Sequence, residues 1–277
     1  MRSWITGAVG LWIVSVATAC GSIAPPPPLK TLAPTSVTVN ADWTPVERDV
    51  DGVMMVFVPA GCFLMGADNG EIDQKPVAQT CISAPFWLDK TEVTQAQFVA
   101  HHGEKALANN FTGDNRPVER VSWFEANAYC QARGARLPSE AEWEFAARGL
   151  DSLIFPWGDT FAAGNVVLRE TSGGHTADVG SRPTGASWVG ALDMVGNVWE
   201  WTASLYAPYP FNTDGSLERD TGDSTTVQRV LRVGGWRCAC PRRVSQWGQP
   251  DPDGRRGRFP VRFVIKNKSH VHNECFL

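Results

Sequence analysis

Arg136-Leu-Pro-Ser-Glu-Ala-Glu-Trp-Glu144 is the stretch from which the rest of this chain is best read. Ser139 directly follows Pro138, and Glu142 stands three residues beyond it. At that spacing a serine hydroxyl and a glutamate carboxylate each satisfy the other's backbone N–H at a helix start. A short helix is therefore predicted from this point. Two more are predicted upstream: Thr94 to His101, with Thr94 as N-cap, and Ser122 to Ala132, where Trp123, Ala126, Ala128, Tyr129 and Cys130 supply an apolar face. Elsewhere between Val46 and about Lys266 the apolar runs are short, as in Val53-Met-Met-Val-Phe-Val58 and Phe86-Trp-Leu88, and Gly, Pro and Asp interrupt them often. Loops must make up much of such a fold.

The 277 residues are 43% apolar and include twelve tryptophans, enough for one sizeable packed domain. A net charge of -4 offers no overall attraction for nucleic acid, so no nucleic-acid partner is expected. Arginines crowd late in the chain, at Arg232, Arg237, Arg242, Arg243, Arg255, Arg256, Arg258 and Arg262, and are read first as structural ion pairs. His101-His102 at a helix end reads as a favourable partner for the helix dipole.

The N-terminus reads as an address. Met1-Arg2 is basic, Ile5 to Val16 is an apolar run too short to span a bilayer comfortably, and Ala17-Thr18-Ala19-Cys20 is a small-residue cleavage site. The small residues before Cys20 resemble a bacterial lipobox, which makes 1–19 a lipoprotein signal peptide and Cys20 the lipidated membrane anchor. Pro25-Pro26-Pro27-Pro28 among Ser, Thr and Ala makes 20–45 a semi-rigid tether. A domain over 46–266 and a C-terminal tail over 267–277 complete the expected organisation. Gly21 after Cys20 fits a periplasm-facing position on the outer membrane, and the expected location is the cell envelope. In an oxidising compartment the remaining cysteines, Cys62, Cys81, Cys130, Cys238, Cys240 and Cys275, default to disulfides.

Eight segments, in order, carry a family likeness: Gly61-Cys-Phe-Leu-Met-Gly66, Glu92-Val-Thr94, Arg116-Pro-Val118, Val121-Ser-Trp123, Arg136 to Glu144, Phe155-Pro-Trp-Gly158, Met194-Val-Gly-Asn-Val-Trp-Glu-Trp201 and Arg229-Val-Leu-Arg232. They resemble the formylglycine-generating enzyme (sulfatase-modifying factor) family across nearly all of 46–266. The resemblance implies a loop-rich α/β (α+β) fold akin to C-type lectins, with little regular secondary structure. It also implies a reaction class, the copper-dependent oxidation by O2 of a sulfatase cysteine to formylglycine.

The same resemblance implies structural calcium at Asp193 and Glu200 through side chains and at Gly196 and Val198 through carbonyls, hard oxygen ligands gathered by a Gly-Asn turn. A second calcium site would begin at Asn165 and Val166, but Thr171, Ser172 and Gly173 stand where its acidic ligand belongs, with Asp178 as a distant substitute. That second site is expected to be weak or absent. The family's catalysts hold Cu(I) between two thiolates five residues apart, beside a Ser and often a His. Here Cys238 meets the first thiolate position, while the second falls on Arg243, the Ser on Gly235 and the His on Ala239. An arginine has no lone pair to give to copper. The first motif places Cys62 and Cys81 on neighbouring strands as a pair, and Cys130 matches a family cysteine whose partner position is Phe263, leaving Cys275 as its substitute. Cys238 and Cys240 then remain together, as a redox pair or an inert bridge.

Two readings of function follow. In the first the chain is a lipid-anchored, calcium-stabilised scaffold with lost or rewired oxidase chemistry that binds a peptide or exported protein beside Cys238. In the second it is an active copper and O2-dependent oxidase of a sulfatase cysteine or another exported substrate, using Cys238 with Cys240. A third reading, tailoring chemistry without a cysteine pair, looks to Glu119 or Glu125. The tail His270-Val-His-Asn-Glu-Cys275 offers metal-ligand residue types but is read as a flexible terminus.

Overall fold

A computed structural model describes residues 37–68, 70, 74–207, 209 and 228–232, and the backbone of the strands within 243–247, 263–265 and 272–276. All three predicted helices are present. Helix α1 (Gln95–Ala100) is capped by Thr94, α2 (Trp123–Ala132) by Ser122 and α3 (Glu140–Arg148) by Ser139. Each start is a reciprocal capping box, closed by Gln97, Glu125 and Glu142 respectively. In α3 the Ser139 hydroxyl accepts from Glu142 N at 3.2 Å and Glu142 Oε2 accepts from Ser139 N at 2.7 Å. Arg136 grips the same carboxylate with two bonds of 2.9 Å, so the cap is held from outside the helix as well.

The strands are β1 (Glu47–Val50), β2 (Val53–Val58), β3 (Gly61–Met65), β4 (Ala78–Ile82), β5 (Phe86–Asp89), β6 (Ala135–Arg136), β7 (Glu200–Leu205), β8 (Gln228–Arg232), β9 (Arg243–Trp247), β10 (Phe263–Ile265) and β11 (His272–Phe276). They form a six-stranded sheet in the order β1-β2-β5-β11-β10-β6, a β3-β4 hairpin and a three-stranded β7-β8-β9 sheet. Strand β11 runs parallel to β5, with His272 opposite Phe86, while the other pairings are antiparallel. With three short α-helices among the described residues and short strands joined by long irregular segments, the fold is the loop-rich mixed architecture expected.

Two expectations about the domain's ends change. The packed domain starts before Val46, because Asn40 is buried, gives its side-chain amide to Arg148 O (3.0 Å) and takes Asp151 Oδ2 on its backbone N–H (3.1 Å). Trp43 stacks on Phe57 with ring centroids 6.0 Å apart. The stretch read as a C-terminal tail supplies β11, a strand between β5 and β10 in the middle of the largest sheet. His-Asn-Glu-Cys-Phe lacks the alternation of apolar residues that marks a half-buried strand, so only partners distant in sequence reveal it.

Tryptophan fills the core, and several of its indole N–H groups bond across it. Trp123 donates its indole N–H to Thr202 O (2.9 Å), Trp188 to Phe145 O (2.9 Å) and Trp201 to Val121 O (3.1 Å), which lashes the helices to β7 and the neighbouring loops. Trp143 donates to the Glu200 carboxylate. A buried bidentate pair joins the end of α2 to β5, Arg133 to Asp89, at 2.8 and 3.1 Å.

Helix α3 is buried from Glu140 to Ala147, an unusual place for three glutamates. Arg232, at the end of β8, compensates two of them. Its guanidinium donates to Glu140 Oε1 (3.0 Å) and Glu144 Oε2 (2.5 Å), with its side chain only 2% exposed. Tyr209 adds its hydroxyl to Glu140 (2.8 Å), and Gly66 N (2.8 Å) and Arg148 reach the other Glu144 oxygen. Burial alone would push the Glu144 carboxyl up, but the charges of Arg232 and then Arg148, with the Gly66 N–H, outweigh it and hold the group below its ordinary 4.5. A carboxyl with a depressed native pKa stabilises the fold above its unfolded pKa and loses that contribution as pH falls through the native value.

Urea unfolding should therefore show stability falling below about pH 4.5 in the parent chain. Arg232→Ala should cost about 3–5 kcal/mol at neutral pH by stranding two buried carboxylates. It should also lose less stability on acidification than the parent, because its stranded carboxyls gain from protonation. An unchanged acid slope in the variant would show that Arg232 does not hold Glu144 ionised.

Candidate functional site

The segment between Asp193 and Glu200 turns back on itself through three residues of positive φ: Asp193 (58°), Gly196 (92°) and Asn197 (53°). Gly196 is required twice over. Its φ suits glycine, and a Cβ there would lie 2.4 Å from Val167 O and 2.5 Å from Val166 Cγ2. The close approach exists because Gly196 bridges Val167 and Asn197 N donates to Val167 O at 2.9 Å. Asn197 then acts as a clasp, its Oδ1 accepting from Ala177 N (2.9 Å) and its Nδ2 donating to Glu92 Oε2 (2.6 Å). Glu92 is fully buried and takes Val198 N on its other oxygen at 3.2 Å. Glu92 sits within a short motif, and nothing in its local sequence shows that it organises a turn more than a hundred residues away.

The proposed calcium ligands belong to this turn. Asp193 is buried and its Oδ2 accepts from Gly180 N (2.5 Å), while Glu200 is fully buried with one oxygen on the Trp143 indole. Together with the Gly196 and Val198 carbonyls this is an all-oxygen donor set, the chemistry that calcium selects. For the second expected site, Asn165 ends a 3-10 turn (Ala163–Asn165) and Val166 is buried. The Asn165 side-chain oxygen already accepts the Thr184 hydroxyl at 2.7 Å, and Thr171 bonds back to Leu168. Among the described residues no group of three or more His, Cys, Asp and Glu side chains is arranged to hold a metal.

Cys62 and Cys81 form a disulfide across β3 and β4, in register with each other. Cys130 is buried in α2, and Cys275 stands opposite Val264 of β10, a strand on which α2 packs. Cys238 and Cys240 lie outside the described residues, as does His270. The strands on either side of the cysteine pair are placed: β8 ends at Arg232, β9 begins at Arg243, and these two residues are cross-strand partners. The position that the family likeness assigns to the second thiolate is the first residue of a paired strand.

Glu125 is a cap, bonded to Ser122 N (2.5 Å) and to Ala106 N. Glu119 is buried and saturated, with Phe111 N on Oε1 (2.7 Å) and Asn110 Nδ2 on Oε2 (3.0 Å); burial raises its pKa despite these donors. Lys105 donates to the Glu119 carbonyl (3.0 Å) and is lowered to about 8 by burial, against the pull of Glu119 and Glu125. These contacts tie the 103–120 loop together. His101 departs from the dipole reading. Burial first, and then the Arg133 charge, lower its pKa, so it favours the neutral imidazole and packs edge-on to Tyr129.

The geometry defines a loop-rich scaffold organised by one buried ionic centre and one clasped turn. The family model described as "Sulfatase-modifying factor enzyme 1-like domain" matches residues 40–267. The chain belongs to that family. It is 34% identical to the formylglycine-generating enzyme of Streptomyces coelicolor, with 83% of this chain and 95% of that protein covered. It is 39% identical to hercynine oxygenase of Mycolicibacterium smegmatis over 66% of this chain and 54% of that protein. It is 45% identical to the inactive C-alpha-formylglycine-generating enzyme 2 of Mus musculus over 50% of this chain and 51% of that protein. The chain thus spans about half the length of these last two relatives. A solved structure, Treponema denticola variable protein 1, shares the fold with a TM-score of 0.60 at 23% identity, covering 84% of this chain and 99% of that one.

Glu92→Ala would leave Val198 N and one N–H of the Asn197 amide, whose nitrogen also donates to Ala177 O at 3.3 Å, without an acceptor in the core. The expected cost is about 2–4 kcal/mol in urea unfolding. Glu92→Gln should recover part of it, since its single carbonyl oxygen still accepts one bond.

Proposed function

We propose that the chain is an exported, lipid-anchored member of the sulfatase-modifying-factor family that works as a calcium-stabilised scaffold for a peptide or exported protein, without the family's copper oxidation. The observation that carries this reading is Arg243. The residue at the second thiolate position is a guanidinium at the head of β9, paired with Arg232 across the ladder. It has no lone pair for Cu(I), and its fixed positive charge opposes a cuprous ion. Gly235 and Ala239 likewise remove the hydroxyl and the imidazole used beside the metal. A relative 45% identical to this chain bears the description inactive, so loss of the reaction on this scaffold has a parallel.

In this reading calcium is held by Asp193, Gly196, Val198 and Glu200. It would neutralise carboxylates in the core and tie the clasped turn to the start of β7. Chelator added to the purified full chain should lower the midpoint of thermal unfolding, because a ligand bound only by the folded state stabilises it by mass action. Readdition of calcium should restore the midpoint, and an unchanged midpoint would remove calcium from the account.

The alternative retains Cys238 and Cys240 as a pair of thiolates for Cu(I). Labelling of free thiols before and after mild reduction, followed by titration with Cu(I), separates the two. The scaffold reading expects no stoichiometric copper uptake and no oxidation of a sulfatase cysteine peptide under O2. Uptake of one Cu(I) that is lost in Cys238→Ser, together with formylglycine in the peptide, would establish the oxidase instead.

A further inference from the structure

Six large apolar side chains are exposed among the described residues, and four of them, Val39, Leu64, Ile154 and Phe161, belong to one neighbourhood. The turn that follows α3 brings them together. Asn40, next to Val39, is bonded to Arg148 O and to Asp151. The Ser152 hydroxyl takes the N–H of Leu64 at 2.8 Å. Ile154 lies two residues further on, and the Phe161 ring stands 5.8 Å from Phe155, which is itself stacked on Trp157 at 5.3 Å and 7°. Leu64 is 52% exposed although it sits in a strand, and the Cys62–Cys81 bridge braces the hairpin that presents it.

We propose that this face lies against the lipid bilayer to which the chain is anchored. The proposal rests on the lipid-anchor reading of Cys20. What selects the bilayer as occupant is chain continuity: Val39, a member of the patch, follows Cys20 by nineteen positions (39 - 20), so anchor and patch are close along the chain. Cys20 and Asn40 are twenty positions apart (40 - 20), a reach of at most about 70 Å at full extension. A tether of that length keeps the face at high effective concentration over the membrane, so a modest apolar contact is enough to dock it. Aromatic and aliphatic side chains around stacked rings suit the headgroup boundary, where the apolar parts enter and the polar edges stay wet. The exposed acids at the rim, Asp151 and Asp159, make attraction to anionic headgroups the wrong driving force, so insertion of apolar side chains into a zwitterionic surface carries the contact.

The test uses the full chain reconstituted in phosphatidylethanolamine vesicles, with benzoylphenylalanine replacing Phe161, Ile154 or, as a control, Val99 of α1, which is 72% exposed but outside this group. Flotation reports anchoring, and mass spectrometry of the irradiated protein reports what the probe touched. Lipid adducts several-fold more abundant at 161 and 154 than at 99 are expected, with a several-fold loss at 161 when Leu64→Ser and Ile154→Ser are combined. Adding anionic lipid should not raise the yield. Equal labelling at all three positions, or crosslinks to a second copy of the chain, would overturn the docking face while a floating protein leaves the anchor standing. A chain that does not float removes both.

Discussion

Arg232 is the cation on which the interior depends. Two glutamates one helical turn apart cannot both be ionised in an apolar core unless a cation meets them, and burial of all three groups is worthwhile only where the remaining oxygens also find donors. Tyr209 adds a second donor to the Glu140 oxygen that Arg232 holds, and Gly66 and Arg148 serve the other Glu144 oxygen. The consequence is positional. The end of β8, the start of α3 and the end of β3 are drawn to one place, and the guanidinium stands 5.1 Å from the centre of the Trp143 ring. Trp143 in turn gives its indole to Glu200, so the ionic centre is one bond removed from the clasped turn that begins β7.

That turn works by a different principle. It uses backbone that few residues tolerate, with Gly196 pressed on Val167, and it is held closed by a neutral amide and a buried carboxylate from a distant loop. The two devices meet at Glu200 and leave the β8–β9 connection supported on its β8 side by a fully buried arginine.

Much of the fold was legible. Helix starts are local events within four residues: Ser139 with Glu142 announced α3, Thr94 announced α1 as its cap, and the apolar face from Ser122 to Ala132 announced α2, while the reciprocal boxes at Thr94 and Ser122 came from the structure. The Cys62–Cys81 pairing followed from the family likeness, and the six-stranded sheet bears out the mixed class. What was hidden depended on partners far away. The last strand looked like a tail because its residues do not alternate, yet β5 and β10 recruit it. Asn40 looked like part of a tether because its partners, Arg148 and Asp151, lie more than a hundred residues on. Glu119 looked available for chemistry, but the loop from Asn109 to Phe111 folds over it and fills both oxygens.

The sequence by itself determined the family and the helix starts, because each of these is written in residue type and short spacing. Only the tertiary structure decided which charges neutralise each other and which backbone groups accept from which side chains. Arg232 meeting Glu140 and Glu144, and Glu92 closing on Asn197, are long-range pairings. Their energy exists only once water has been excluded from between them, and no local pattern encodes where that happens.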